Sequence, residues 1–414
     1  MRTIAASGLI ALTAMLGVAA STAVASPATA AQRPAAASPA RTAKAPPPAN
    51  QLFGVSCVSS KYCVAVGLNE NAEESVKGGG ALIQTWNGKT WKSVAPKAPK
   101  GALSAQLVDV SCKSAIACVA VGDYLNAGGT GVPLAEIWNG KTWTPTAPAT
   151  PKGSSGGQLL GVSCAAAKSC VAVGSDFTNA GGAALAESWN GSKWTVSRPP
   201  EPKGSVVGDL NKVSCTSTLH CIAVGSWGTN TAGSALADVW NGATWARLPV
   251  PAPAVGKEDA DLTGVSCPAA KSCVAVGTGT TGLKGGLVSF AEFWNGTTWA
   301  AGKISWPKGV SNAFLYGVSC RSAKSCLAVG NLNINVNDGG HTGRAGATSW
   351  NGKTWTAASV PVPGKGKASL FVGVSCLSAA NCLAVGQFGP FNSDEGNGLA
   401  GFWNGKRVSL ATTP

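Results

Sequence analysis

The sequence predicts an all-β protein, a seven-bladed β-propeller of four-stranded antiparallel blades, and three observations carry that reading. A unit built on Leu-Xaa-Gly-Val-Ser-Cys, five residues, Cys-Val-Ala-Val-Gly and, some twenty residues later, Trp-Asn-Gly recurs seven times in the 414 residues. The turn tryptophans Trp86, Trp138, Trp189, Trp240, Trp294, Trp350 and Trp403 set a period of 51–56 residues, a length that marks a repeat array. Within each unit the apolar runs are short, rich in β-branched residues and bounded by Gly and Ser, with no helical spacing between them. Stacked blades also suit the length, because a single core stops growing beyond about 250–300 residues whereas blades add one interface at a time. A β-solenoid is the competing architecture, but its rungs are usually shorter and lack hairpin turns.

Taken in order, residues 1–31 read as a secretory signal peptide: Arg2, an apolar run from Leu9 to Ala20, then candidate cleavage sites after Ala25 and Ala30. The run is too short to span a bilayer comfortably, and no cysteine precedes Cys57 to take a lipid, so no membrane anchor is expected. Residues 32–50 are Ala, Pro and Ser with scattered bases, a composition that cannot bury enough apolar surface to order itself, and read as a disordered linker. The propeller is expected over 51–414, with no strand exchanged between its first and last blades.

In each unit Val-Ser-Cys and Cys-Val-Ala-Val-Gly are the first two strands, and the run ending in the turn Trp is the third. Asn-Gly between apolar runs is a strong hairpin signal, since both types tolerate the positive φ of a type I′ turn. A two-residue loop would set Trp138 opposite Lys141 and Glu136 opposite Trp143, placing a tryptophan pair and opposite charges on one face. Both short connections, the cysteine loop and the Asn-Gly turn, then emerge on one side of the ring. The variable connections emerge on the other, and binding residues concentrate on such loops.

The cysteines number fourteen and fall in pairs spaced by five residues: Cys57/Cys63, Cys112/Cys118, Cys164/Cys170, Cys215/Cys221, Cys267/Cys273, Cys320/Cys326 and Cys376/Cys382. An even count behind an export signal implies disulfides, each closed within its own unit at the end of a hairpin. Zinc would need closer pairs and further ligands, and the histidines are only His220 and His341. The formal charge is +14, of which +10 belongs to 51–414, and along the sequence the excess reads as dispersed. It favours an anionic envelope polymer as partner, against a plainly solvated surface. Without a compact basic run interleaved with aromatics, nucleic acid is not the expected partner.

Candidate site residues come from the variable connections. Tyr124, Phe177, Trp227, Phe388 and Phe391 enter them soon after the second strand and could stack on a sugar; packing between blades is the equal alternative. Glu136, Glu187, Asp238 and Glu292 recur two residues before the turn Trp. Repetition of one residue type at one position points to blade packing, with a Lys or turn amides as partners, rather than to the two carboxylates flanking one bond that glycoside hydrolysis needs. The acidic runs at 258–261 and 392–395 lack the spacing of a calcium loop. No catalytic motif stands out, so no catalytic residue, metal or cofactor is assigned.

The whole pattern, including Thr85-Trp86-Asn87-Gly88-Lys89-Thr90-Trp91, resembles the secreted bacterial BNR-like (Asp-box) β-propeller repeat proteins of the WD40/YVTN/BNR-like superfamily. The likeness covers all seven units, with Asn in place of the box Asp and one residue fewer. It implies a structural hairpin and carries no active-site residue across. The expectation is a secreted, disulfide-stabilised, monomeric propeller that binds an extracellular glycan, an anionic envelope polymer or a protein without catalysing a reaction; the alternative is a propeller glycosidase or polysaccharide lyase.

Overall fold

The computed structural model describes residues 50–69, 80–94, 96–179, 181–229, 233–253, 258–280, 286–310, 312–333, 343–364, 367–390 and 396–414. The signal segment, linker residues 32–49, Phe391, His341 and the acidic run 392–395 lie outside them, while Asn50, expected in the linker, opens the first strand. Twenty-eight strands form seven four-stranded sheets, each antiparallel and each in sequence order, so the protein is a seven-bladed β-propeller. Blade one comprises Asn50–Ser59, Tyr62–Asn69, Ala81–Trp86 and Trp91–Val94. Blade seven ends with Val408–Thr412, and no strand crosses between the two.

The repeat residues explain the unit. The second strand is buried on both faces: Val64, Ala65 and Val66 are fully enclosed, which is why it reads as an unbroken apolar run and not an alternating one. Its glycine is obligatory, because a Cβ at Gly174 would lie 2.0 Å from the carbonyl oxygen of Gln158, where the first strand bulges against it. Neighbouring blades share each core. Val119, Val121 and Ala135 of blade two pack with Leu159, Val162, Leu185, Trp189 and Trp194 of blade three. At 20–33 cal/mol per Å² of apolar area removed from water, such interfaces carry most of the stabilisation.

All fourteen cysteines form the seven local disulfides, each pair directly opposite on adjacent strands with Cα atoms 3.9–4.0 Å apart. The bridges also reach into the cores: the second cysteine of every pair, namely Cys63, Cys118, Cys170, Cys221, Cys273, Cys326 and Cys382, is buried, with 1–5% of its surface exposed. Each lies in one of the apolar cores. The cause is strand position, since these residues open the second strand, which runs between the first and third strands and faces a core. They are packing residues that no ligand can reach, and the bridge they make is structural.

One polar element runs round the whole ring. The serine of each Val-Ser-Cys accepts a hydrogen bond from the cysteine N–H of the next blade, from Cys112 N to Ser56 Oγ (3.0 Å) through to Cys376 N to Ser319 Oγ (3.0 Å). Cys57 N to Ser375 Oγ, 3.0 Å, closes the belt between blades seven and one. Closure is reinforced by Asn50 Nδ2 and Gln84 Nε2, both 2.6 Å from the carbonyl oxygen of Pro414.

The Asn-Gly hairpin differs from the two-residue turn expected. Trp138 faces Trp143, and Glu136 faces Pro145, so the loop is the four residues 139–142. The asparagine side chain decides this: Asn139 Oδ1 accepts the N–H groups of Lys141 (2.9 Å) and Thr142 (3.0 Å), a local bond that competes with the tighter turn. Only Gly140 takes positive φ, at 91°. The tryptophans therefore stack directly, with ring centroids 5.3–5.5 Å apart in six blades; blade seven has Val408 opposite Trp403.

Candidate functional site

The central channel is nearly shut at its waist. The first strands converge so closely that a Cβ at Gly317 would meet the Val372 carbonyl oxygen at 2.8 Å, and glycine holds this position in five blades. Blades two and four carry Asp109 and Lys212 instead, and the two side chains form an ion pair of 3.2 Å across the intervening blade. Val162 N–H donates to Asp109 Oδ2 (3.0 Å), and Lys212 Nζ donates to the Leu160 carbonyl (3.2 Å). What remains is a cavity of about 120 Å³, too small for an organic ligand to thread.

The repeated acids are enclosed in the blade interfaces. Glu136, Glu187, Asp238 and Glu292 are fully buried. Glu187 accepts the Ala149 N–H at 2.7 Å from the linker between blades, and Asp238 pairs with Arg247 at 2.7 Å. Among the described residues neither a turn lysine nor a turn amide bonds to any of them, which corrects the partners expected from sequence. Glu136 and Glu292 have no hydrogen-bond partner among the described residues. Burial pushes their carboxyls up, to about 8 for Glu136 and about 7 for Glu292. Fully buried, they expose no surface to a substrate.

Nearer the variable side, a second set of polar groups stitches blades together. Ser175 Oγ donates to Asp209 between blades three and four, and Asn211 Nδ2 donates to Asp261 Oδ1 (2.8 Å) between blades four and five, while within blade two Asp123 accepts from Gln106 Nε2 (2.9 Å). Burial raises Asp123 to about 6 and Asp261 to about 7, the latter assisted by the neighbouring Asp209. Among the described residues no group of three potential metal ligands converges.

The cavity with ligand-like chemistry lies on the variable side between blades two and three. About 180 Å³ in volume, it is walled by Thr130, Gly131, Val132 and Pro133 of blade two, Thr150, Pro151 and Ser154 to Gly157 of the connecting segment, and Asp176 and Leu185 of blade three. Asp176 forms its polar floor. One carboxylate oxygen pairs with Arg198; the other, Oδ1, is buried without a partner, and the side chain is 1% exposed.

The register explains why the cavity opens here. The second residue after the glycine of Cys-Val-Ala-Val-Gly is Tyr124 in blade two, Trp227 in blade four and Phe388 in blade seven, each packed against the core shared with the preceding blade. In blade three the same position is Asp176, opposite Gly157, and no ring fills the gap. Three of the sequence candidates thus sit in blade packing, Phe388 at only 7% exposure and with Lys367 Nζ 5.1 Å from its ring centroid. Phe177 is one residue further along its strand, opposite Gly156, where the absent side chain leaves the ring beside the cavity mouth. The structure brings none of the candidate aromatics into a common cluster. Sequence reasoning passed over Asp176, and the repeat offers no signal for it, because the position varies across the units, with Asn69, Gly279 and Leu332 in the three remaining blades.

Charge is segregated in space. The seven cysteine loops and seven Asn-Gly turns hold twelve Lys or Arg and no acid, while the rest of 51–414 holds sixteen bases against eighteen acids. The dispersal seen along the sequence therefore does not describe the surface.

No protein-family model matches the chain, and no curated protein matches it. Among solved structures, the BP39L lectin from Burkholderia pseudomallei is similar over 88% of this chain and 99% of its own, at 11% identity and a TM-score of 0.57. The GH74 xyloglucanase from Xanthomonas campestris is similar over 87% of this chain at 12% identity and a TM-score of 0.50. The chain spans about half, 54%, of that enzyme's length. These likenesses show the propeller fold; function has to be argued from the site.

Proposed function

We propose that this chain is a secreted, non-enzymatic carbohydrate-binding propeller, exported by residues 1–31 and akin to the BNR-like repeat proteins, whose variable face holds a sugar in the cavity between blades two and three. The observation that carries the reading is Asp176, which lines the cavity and whose Oδ1 is buried with no donor among the described residues. A buried unsatisfied polar atom costs about 1–3 kcal/mol, and a ligand hydroxyl recovers that. Arg198 already balances the carboxylate charge, so the complementary partner is a neutral donor and not a cation. Val132, Pro133 and Leu185 offer apolar surface to the C–H face of a ring, and Phe177 is the aromatic placed to extend it. A volume of about 180 Å³ is that of about six waters, which suits one sugar ring of a longer glycan.

Two further features support binding over glycoside hydrolysis or lyase chemistry. The repeated acids are sealed inside blade interfaces, and the cavity offers one carboxylate where hydrolysis uses two. The seven disulfides suit an extracellular setting, and no helix among the described residues is long and apolar enough to cross a membrane. The test is a screen of the purified protein against a glycan array and isolated cell-wall polysaccharides, with release of reducing ends followed in parallel. Saturable binding without product is expected. Absence of any bound sugar, or turnover of a bound one, overturns the reading.

A further inference from the structure

The twelve basic side chains of the cysteine loops and Asn-Gly turns make the side of the ring opposite the proposed sugar site a cationic disc. All are exposed, and none joins an ion pair among the described residues. The arrangement follows from the repeat. The fourth residue of each cysteine loop lies over the glycine of the neighbouring turn: Lys61 over Gly88, Lys168 over Gly191, Lys271 over Gly296 and Lys324 over Gly352. Their stems rest on backbone that lacks a Cβ, which places these four lysines on one side of the ring in blades one, three, five and six. In the other three blades the same position is apolar: Ile116 over Gly140, Leu219 over Gly242 and the small Ala380 over Gly405.

Ile116 and Leu219 are 67% and 66% exposed, the two most exposed large apolar side chains among the described residues. Both project from the cationic face.

We infer that this face docks on an anionic lipid surface, with the ring lying flat and Ile116 and Leu219 entering the headgroup region. Charge complementarity selects an anionic partner. The apolar tips select a lipid surface over a soluble polyanion, because a hydrated polymer gives them nothing to enter, whereas amphipathic faces bind membranes by pairing cationic attraction with apolar burial. In this orientation the cavity between blades two and three points away from the membrane, open to a glycan.

The test is co-sedimentation of protein purified from culture supernatant with vesicles of phosphatidylcholine alone and with phosphatidylglycerol added, at low and high salt, using inorganic polyphosphate as the soluble-polyanion probe. All variants share one N-terminus, so differences between them report on the ring. Binding is expected to require phosphatidylglycerol and to fall with salt. Changing Lys168, Lys271 and Lys324 to Ser should weaken vesicle binding about fivefold per residue. The same change at Lys100, Lys152 and Lys203, in the inter-blade segments on the other side, should leave it unaltered. Ile116→Ser with Leu219→Ser should lower vesicle binding at least tenfold and leave polyphosphate binding unchanged. Melting curves on every variant separate misfolding from lost contact. Failure of the unaltered protein to prefer phosphatidylglycerol vesicles overturns the proposal, as does equal sensitivity to the two lysine sets. Vesicle binding indifferent to Ile116 and Leu219 makes the partner a soluble polyanion and overturns the lipid assignment.

Discussion

Replacing Glu136 with Gln should stabilise the ring at neutral pH and do much less in acid. Glu136 is fully buried with no partner for either oxygen among the described residues, and burial lifts its carboxyl from an ordinary 4.5 to about 8. The folded ring therefore keeps a proton that the unfolded chain releases. The stability that Glu136 contributes is fully present below about pH 4 and declines as pH rises towards the folded value. Between pH 5 and pH 7 the linkage amounts to about 2.5 kcal/mol, at about 1.4 kcal/mol for each pH unit over which the two states differ by one proton. Gln cannot titrate, and whatever its buried amide costs is the same at both pH values. The difference between Glu136→Gln and the unaltered protein should thus grow by about 2.5 kcal/mol from pH 5 to pH 7, which for a ring of this size is about 3 °C in Tm. Calorimetry at the two pH values measures it directly. A variant whose advantage or deficit is the same at pH 5 and pH 7 would show that Glu136 is not protonated in the folded ring, and the account of the sealed acids would fall with it.

Alkylation of the denatured but unreduced protein should add no mass, because every cysteine is paired within its own blade; uptake of alkyl groups on intact-mass analysis counts against this. Ser266→Ala removes the acceptor of the Cys320 N–H, 2.9 Å away in the next blade, and should cost about 1–3 kcal/mol in chemical denaturation. A change below about 0.5 kcal/mol would mean the serine belt is incidental. Deleting one repeat length, Leu159–Asp209, should leave a ring that cannot close and a product that associates. A monomer of undiminished stability would contradict the closed belt.

What could be read from the sequence is what the repeat states seven times over. The blade count, the strand order, the cysteine pairing and the two unlike faces all follow from spacing, since period-two side-chain alternation and short connections leave few topologies. The depth of the bridges was not legible, because spacing pairs Cys170 with Cys164 but does not say that a neighbouring blade closes over it. The hairpin register was hidden too, because it turns on whether the asparagine side chain bonds forward to Lys141 and Thr142, a choice the Asn-Gly pair alone does not reveal. The site was hidden for the opposite reason. Tyr124, Trp227 and Phe388 drew attention as aromatics, yet they sit in blade packing, and the residue that lines the cavity, Asp176, stands at a position that varies from unit to unit and gives no repeat signal. Charge segregation was present in the composition of the short connections and appears only when residues are grouped by the side on which they emerge.

The central claim, a sugar held at Asp176, is tested most directly by equilibrium titration of a glycan that binds the unaltered protein against Asp176→Leu. Leucine removes the acceptor and fills the cavity, while Arg198, 42% exposed, can return to water. Hydrogen bonds to charged groups contribute about 1.5–3 kcal/mol, so Kd should rise at least tenfold with an unchanged melting temperature. A Kd for Asp176→Leu within twofold of the unaltered protein would contradict the claim and place the sugar elsewhere on the ring.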